Sequence, residues 1–242
     1  SVSTMYTAYR LNDPREIMPP HRHSPNAIRF GLTGTMNFTG VEGEDITFGP
    51  GDMVLTPHDT WHNHGNQGDE PAANLSVLDL PLVETLNATY FEHDYTEEVD
   101  GERIRKNVQS ARVSSEYSRE IYSRGGLMPR FVSHHRGTGN ASPMYVYRWE
   151  VMRELLERFR NWDGDSYEGL LVEYVDPTNG QPVFKTITFF AQMLRPGERT
   201  QPLKQNASLL VAPFEGSGHS IIGGERIDWG KFDTVAVPGG HW

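Results

Sequence analysis

The chain has 242 residues, enough for one large domain or two small ones, and no stretch that approaches the roughly 18 apolar residues of a membrane span. Its net charge is −10 and its start shows no signal-peptide pattern, so we expect a cytoplasmic protein that binds neither nucleic acid nor a membrane. The absence of cysteine excludes disulfides, thiolate nucleophiles and thiolate ligands, so any metal must be bound through nitrogen and oxygen.

Residues 1–80 are predicted to form short β-strands separated by turns. Gly43 provides the backbone freedom for a hairpin turn, and Pro81 ends the last strand of this stretch. The strands predicted with most detail lie at 35–41, 53–56 and 74–80. Many short strands with glycine and proline turns, and little helix, predict a β-barrel or a β-sandwich.

Residues 82–142 are polar and irregular, and they are predicted to form a long connection. One clear helix follows, from Arg148 to Trp162. Its apolar side chains recur at spacings of three and four: Val151, Met152, Leu155, Leu156 and Phe159. This stripe favours packing against the core over a cofactor site. Further strands are predicted at 169–175, 184–193, 208–213 and 234–238.

The last third of the chain weakly repeats the first. When the Asn-Ala pair at 206–207 is laid on the pair at 26–27, Gln201 and Leu203 fall on His21 and His23. Later residues correspond at one constant offset: Asp233, Pro238 and Trp242 fall on Asp52, Pro57 and Trp61. The second copy is therefore predicted to keep the fold of the first but to hold no metal.

The pattern that points most directly to function is His21-Arg22-His23. Residues two apart on a strand point to the same side, so His21 and His23 can bind one ion, and His62 from a later strand can add a third imidazole. Three imidazoles suit Fe(II), Mn(II), Co(II), Ni(II) or Zn(II) and leave positions open for small ligands. An isolated His-x-His pair is more often structural, but the spacing from His62 to Asn66 favours metal binding here.

Arg29 and His64 are predicted to lie beside these histidines. If the strand that carries the histidine pair continues, its odd-numbered residues through Arg29 face the inside of the barrel, where a guanidinium needs an anion. Arg29 then either binds a carboxylate or a deprotonated hydroxyl of the substrate, or pairs with an internal acid such as Asp79. His64 lies on the same face of its strand as His62. It is either an acid–base group near the substrate or a histidine that is hydrogen-bonded at the mouth of the barrel.

Tyr6 and Arg10 lie on one face of the first predicted strand. On the inside of the barrel, Tyr6 could stack on an aromatic ring and Arg10 could add a second cationic anchor. On the outside, both are ordinary surface residues. Asn66 is predicted to be a turn residue. The remaining histidines have no ligand spacing and are expected on the surface or in loops: His58, His93, His134, His135, His219 and His241.

These residues resemble the two motifs of the cupin superfamily. Gly51, Pro57, His62 and Asn66 match the second motif, and His21, His23 and Gly34 match the first, with Ala27 at the usual acidic ligand position. The stretches 21–30, 55–57, 61–66 and 78–83 more narrowly resemble the gentisate 1,2-dioxygenase group, whose relatives include salicylate and 1-hydroxy-2-naphthoate dioxygenases. The resemblance is strong over about residues 4–90 and weaker from Tyr145 to the end.

The resemblance implies an all-β bicupin: two double-stranded β-helix (jelly-roll) barrels with a few helices in the connection. It divides the chain into an N-terminal metal-binding barrel at 1–90, a connection with a helix at 91–165, and a C-terminal degenerate barrel at 166–242. Family members are longer at the start, so we expect a first barrel without its usual leading segment and a truncated second barrel. Relatives are commonly homotetramers, so a homotetramer is expected.

The resemblance also implies an Fe(II)-dependent dioxygenase that uses O2 to cleave the ring of a hydroxylated aromatic acid, with His21, His23 and His62 as metal ligands. Gentisate, which would give maleylpyruvate, is the leading substrate, and salicylate or 1-hydroxy-2-naphthoate is the alternative. Arg29 and His64 are the expected catalytic residues, and with Tyr6 and Arg10 they are expected to bind the substrate. The substrate stays open because Tyr6, Arg10 and Ser76 replace a tryptophan, a glutamine and an aspartate of relatives.

Two other classes of protein fit the same pattern. A non-oxygenase cupin, such as an isomerase or a hydrolase, would use Zn or Mn at the same histidines. A binding or storage bicupin would keep only a vestige of the site. An intact ligand set in one copy, beside decay in the other, argues against the vestigial interpretation.

Overall fold

The computed structural model describes residues 2–132 and 139–242. The strands are β1 (Tyr6–Asn12), β2 (Ile17–His23), β3 (Ala27–Thr33), β4 (Asn37–Val41), β5 (Glu44–Phe48), β6 (Met53–Thr56), β7 (His62–Asn66), β8 (Ala72–Leu78), β9 (Phe91–Glu92), β10 (Thr96–Val99), β11 (Glu102–Arg105), β12 (Val146–Tyr147), β13 (Leu170–Glu173), β14 (Phe190–Met193), β15 (Leu209–Val211), β16 (Gly218–Ile222), β17 (Glu225–Trp229) and β18 (Val235–Val237). The helices are α1 (Leu80–Thr85), α2 (Tyr117–Tyr122) and α3 (Trp149–Phe159). None of the helices in the described ranges has the length and apolar character needed to cross a lipid bilayer.

The first eight strands form a barrel of two antiparallel sheets. One sheet has the order β1-β8-β3-β6-β12 and the other has the order β5-β4-β7-β2-β9. The two-residue turn between β4 and β5 has positive φ at both positions, +51° at Glu42 and +78° at Gly43, which matches the twist of the strands it joins. Strands β9 and β12 come from the predicted connection and add one short strand to each sheet.

The apolar core consists of two clusters. The first contains Ile28 and Leu55 of the barrel together with Met152 and Leu156 of α3 and Phe184 of the second half. The second contains Val41, Ile46, Phe48 and Val54 of β4, β5 and β6 together with Tyr145 and Val146 of the connection. Helix α3 and the second half therefore pack against the first cluster, while the connection adds side chains to the second.

Helix α3 is shorter than the sequence pattern predicts. It begins at Trp149, because Arg148 stays extended and Asp52 accepts the Trp149 N–H at 2.9 Å and pairs with the Arg148 guanidinium at 2.6 Å. Met152 and Leu156 are buried, as the stripe predicts, whereas Val151 is 58% exposed. The buried face of helix α3 is therefore narrower than the predicted apolar stripe.

The second half repeats part of the first barrel. Gly218 of β16 lies 181 residues after Asn37 of β4, and Glu225 of β17 lies 181 residues after Glu44 of β5. The two hairpins also have the same register, because Gly218 pairs with Trp229 as Asn37 pairs with Phe48. The sheets of this half have two strands each within the described ranges. The all-β bicupin class is confirmed, while domain limits at 90 and 165 stay a prediction.

One prediction about the barrel is wrong. The strand that carries the histidine pair does not continue to Arg29, because β2 ends at His23 and the chain bends at 24–26 before β3 begins in the other sheet. Pro25 lies in this bend and has no N–H for a strand ladder. Arg29 is still buried, but it belongs to the sheet opposite that of the histidines.

Candidate metal centre

His21, His23 and His62 lie together inside the first barrel. Strands β2 and β7 are neighbours, and His21 and His62 are direct partners in their register. The ring centroids of His62 lie 4.4 Å from those of His21 and 4.8 Å from those of His23. One ligand nitrogen of each residue lies within 4.8 Å of the others, and all three side chains are buried. The structure therefore brings the three predicted ligands onto one face.

The hydrogen bonds of the three rings fix which nitrogen is free. Nδ1 of His21, His23 and His62 contacts the backbone oxygens of Pro19, Pro25 and Thr60 at 3.0, 2.8 and 2.9 Å. A carbonyl oxygen only accepts, so each Nδ1 carries the proton and each Nε2 keeps its lone pair. The Nε2 atom of His62 is buried without a partner in the described part of the protein. Such a set of nitrogens fits a metal ion.

Burial keeps these imidazoles neutral. It lowers the pKa of His21 to about 4 and also lowers the pKa of His23. The pKa of His62 is lowered well below its usual value, first by burial and then by the neighbouring His21 and His23. A neutral imidazole is the form that binds a metal, so no proton has to be removed near pH 7.

Arg29 faces this group from the opposite sheet and has no anionic partner among the described residues. Its Nη1 donates to the Thr56 hydroxyl at 3.1 Å, and its Nε is buried without a hydrogen bond. Burial, followed by the nearby Arg10, lowers its pKa to about 9, so the side chain stays charged near pH 7. The alternative partner Asp79 instead accepts from Asn26, through its backbone N–H at 2.8 Å and its side chain at 2.9 Å.

His64 lies next to the three histidines on β7. Its ring centroid is 5.3 Å from that of His21, and its Nδ1 is buried without a partner in the described part of the chain. Burial and the charge of Arg29 lower its pKa well below the usual value. His64 is therefore a neutral polar group with one nitrogen available inside the barrel.

Arg10 and Tyr6 lie farther from the histidine group, on strand β1. The Arg10 Nε donates to Asn12 Oδ1 at 2.6 Å, and its Nη2 lies 3.5 Å from a carboxylate oxygen of Glu16. Tyr6 begins β1 at the rim of the barrel and is 47% exposed. Ser76, across the ladder from Arg29, puts a small neutral side chain between β1 and β3.

Strand β9 and the residue that follows it bring two side chains near the site that the sequence analysis did not select. Phe91 pairs with His23, and their ring centroids are 5.3 Å apart. The ring of His93 lies 5.9 Å from that of His21. No sequence signal identifies them, because a two-residue strand in a polar stretch has no periodicity to detect.

Three other histidines of the described residues lie away from this group. His58 uses Nδ1 to contact the Ser24 oxygen at 2.7 Å, and His219 and His241 belong to the second half. His134 and His135 lie outside the described residues. Asn66 is fully buried at the end of β7, where its amide donates to the Glu70 oxygen at 2.7 Å and accepts from the Gly68 N–H at 2.9 Å. It holds the turn after β7.

Comparison with known proteins finds similar dioxygenases. Residues 12–78 match the model of the cupin domain family. The chain is 35% identical to a gentisate 1,2-dioxygenase of Haloferax sp, over 98% of this chain and 65% of the relative. It is 34% identical to gentisate 1,2 dioxygenase 1 of Aquipseudomonas alcaligenes, over 98% of this chain and 64% of the relative. A 5-aminosalicylate 1,2-dioxygenase of Comamonas sp is 29% identical, over 99% of this chain and 61% of the relative.

Solved structures agree with these relatives. A salicylate 1,2-dioxygenase from Pseudaminobacter salicylatoxidans superposes with a TM-score of 0.76 at 26% identity, and the match covers 99% of this chain and 66% of that one. The same enzyme has also been solved as adducts with gentisate, again with a TM-score of 0.76 at 26% identity, over 99% of this chain and 64% of that one. The chain thus spans slightly less than two thirds of the length of the curated relatives it matches.

Proposed function

We propose that the chain, which matches the cupin domain family over residues 12–78 and is similar to gentisate 1,2-dioxygenases, forms the metal-binding part of a dioxygenase that opens the ring of a hydroxylated aromatic acid. Gentisate is the leading substrate, and its reaction with one O2 gives maleylpyruvate without another cosubstrate. Salicylate and 1-hydroxy-2-naphthoate are the alternatives, since relatives named for aminosalicylate and hydroxynaphthoate are also similar to this chain.

The three neutral histidines are the proposed metal ligands. Their Nε2 atoms are free because each Nδ1 donates to a backbone oxygen. Fe(II), when bound there, supplies the redox chemistry by which O2 reacts with an aromatic ring. The ligand set itself also suits Mn(II), Co(II), Ni(II) and Zn(II), so iron is proposed on the resemblance to dioxygenases.

The observation that carries the proposal is the buried charge of Arg29. A guanidinium that is fully buried without an anion is costly, and a carboxylate from a ligand would remove this cost. The side chain faces the histidine group, and its Nε has no hydrogen bond within the described residues. We propose that Arg29 binds the substrate carboxylate and so places the aromatic ring beside the metal ligands.

His64 is the second proposed catalytic residue. Its neutral ring has an unpaired Nδ1 close to His21, so it can hydrogen-bond the phenolic oxygen of the substrate or a proton-accepting oxygen of the reaction. Arg10 and Tyr6 are proposed to contact the far side of the ring. Their departure from the residues of relatives is the reason to test several aromatic acids.

Oxygen uptake tests the proposal. The full chain, loaded anaerobically with Fe(II), is mixed with gentisate, salicylate, 5-aminosalicylate and 1-hydroxy-2-naphthoate, and O2 consumption is followed with an electrode. We expect uptake with at least one acid, and none with benzoate, which lacks the hydroxyl. Iron bound without uptake on any of these acids would refute the dioxygenase, and tight Zn or Mn without uptake would favour a non-oxygenase cupin.

Several finer features stay predictions. A cytoplasmic location, a homotetramer, the domain limits and the identity of the metal rest on the resemblance and not on a contact in the structure. Analytical ultracentrifugation measures the assembly, and metal analysis of protein purified from iron-rich medium measures the ion.

A further inference from the structure

Two carboxylates lie behind the proposed metal ligands, each separated from a histidine by one peptide group. We propose that Asp79 and Glu42 are positioning residues that orient and polarise His23 and His62 through these peptide groups. The inference deepens the metal site proposed above and rests on it for its functional meaning.

At His23, one peptide group joins the imidazole to Asp79. His23 Nδ1 donates to the Pro25 oxygen at 2.8 Å, and the Asn26 N–H donates to Asp79 Oδ1 at 2.8 Å. The Pro25 C=O and the Asn26 N–H belong to the same amide. Because the amide is resonant, an anion at its N–H increases the negative charge on its oxygen and strengthens the hydrogen bond from the imidazole.

Within the described residues, the Asp79 carboxylate neither caps a helix nor forms an ion pair. Asp79 is 1% exposed and precedes α1, yet it makes no side-chain cap to that helix. All its donors in the described part of the chain are neutral: the Asn26 backbone, the Asn26 side chain and the Thr186 hydroxyl. Its negative charge is therefore available to the peptide of Asn26. Thr186 comes from the second half, which thus reaches the back of the metal site.

The same arrangement recurs at His62 with different residues. His62 Nδ1 donates to the Thr60 oxygen at 2.9 Å, and the Trp61 N–H donates to Glu42 Oε1 at 2.7 Å. Thr60 C=O and Trp61 N–H again belong to one amide. The Glu42 N–H donates to the Trp61 oxygen at 2.9 Å, so the β4–β5 turn is held on both sides of Trp61.

His21 provides a built-in comparison. Its Nδ1 donates to the Pro19 oxygen at 3.0 Å, but the next residue is Pro20, whose nitrogen has no hydrogen. No carboxylate can polarise that amide. Because an imidazole that donates to a more negative acceptor is a more basic ligand, His23 and His62 are expected to bind the metal more strongly than His21.

The variants D79N and E42Q test the inference. Each keeps an oxygen that can accept the peptide N–H but removes the charge. On metal-free protein, the Nδ1–H proton resonances of the histidines are measured by ¹H–¹⁵N NMR. We expect D79N to move the His23 resonance upfield, E42Q to move that of His62, and neither to move that of His21.

Metal affinity gives a second measurement on the same proteins. Titration calorimetry with Co(II) is expected to show an affinity about tenfold lower in each variant, the low end of the range for groups bonded directly to a ligand histidine. D176N is the matched control, because Asp176 is also a buried carboxylate that accepts a backbone N–H, from Thr178 at 2.8 Å, and it is not bonded to any ligand peptide. It is expected to bind Co(II) like the original protein.

Clear outcomes would overturn the inference. One is a variant with an unchanged circular dichroism spectrum that leaves both its histidine resonance and the Co(II) affinity unaltered. Another is an equal loss of affinity in D176N. If D79N does not fold, E42Q decides, since Glu42 lies in a hairpin turn and is only partly buried. If the original protein binds no Co(II), the metal site is wrong, while the NMR shifts still decide whether the carboxylates polarise the histidines.

Discussion

Replacing Arg29 by methionine should stabilise the ligand-free protein and abolish ligand binding. Burial and Arg10 lower the pKa of Arg29 from its usual value to about 9, a cost of the order of 5 kcal/mol at about 1.4 kcal/mol per pKa unit, which the unfolded chain does not bear. Losing the hydrogen bond to Thr56 offsets about 1 kcal/mol of the gain. Since buried charges replaced by apolar groups typically gain about 1–4 kcal/mol, we expect R29M to raise the free energy of unfolding by roughly 2–4 kcal/mol.

Urea unfolding of metal-free protein measures this change, and unfolding of metal-loaded protein with salicylate measures the loss of binding. A ligand at about 100 times its Kd should stabilise the original protein by about 2.7 kcal/mol and R29M not at all. R153M is the control, because Arg153 is exposed and already has Glu157 and Glu215 as partners, and its unfolding free energy should change by less than about 0.5 kcal/mol. An R29M protein that is less stable than the original, or still stabilised by salicylate, would show that Arg29 is not an unpaired anion-binding charge.

Three further outcomes are expected. His23→Ala should abolish Co(II) binding in calorimetry while the circular dichroism spectrum is retained, and persistent binding would exclude His23 as a ligand. In metal-free protein, the histidines of the unfolded state take up protons below about pH 6.5, whereas His21 of the folded state does so only near pH 4. The unfolding free energy should therefore fall as the pH drops between these values, by up to about 1.4 kcal/mol per pH unit for each such histidine. Urea titrations at several pH values measure this fall, and an unfolding free energy that does not change with pH would contradict the lowered pKa. G51A should lose about 2–4 kcal/mol of unfolding free energy, because φ at Gly51 is +86° and an added Cβ would lie 2.4 Å from Trp149 Cγ. The matched variant G101A should lose only about 1 kcal/mol, because φ at Gly101 is +85° but no described atom lies within 4 Å of an added Cβ. Equal losses in the two variants would mean that the Trp149 contact is unimportant.

Local chemistry made part of this site predictable. His21 and His23 share a face because the side-chain period of a strand is two, and Gly43 marks the β4–β5 turn because positive φ favours glycine. The constant offset that the sequence shows between Asp52 and Asp233 also holds for this hairpin in the structure, where its repeat begins at Gly218 and Glu225. The residues that carry the resemblance also predicted similarity to this group of dioxygenases, because the spacing of the histidines can be compared with the family motifs directly in the sequence.

Other features depend on contacts between distant parts of the chain. The sequence offered Asp79 as a partner for Arg29, but in the fold that carboxylate accepts from Asn26, and the guanidinium has no anionic partner among the described residues. It gave no sign that Phe91 pairs with His23, since a two-residue strand acquires its neighbour only when the sheet forms. Residue type and the two-residue period of a strand thus determined which side chains could bind a metal. The packing of the two sheets decided which described charges lack an anionic partner and which carboxylates reach the ligands, because hydrogen bonds and burial depend on the whole fold.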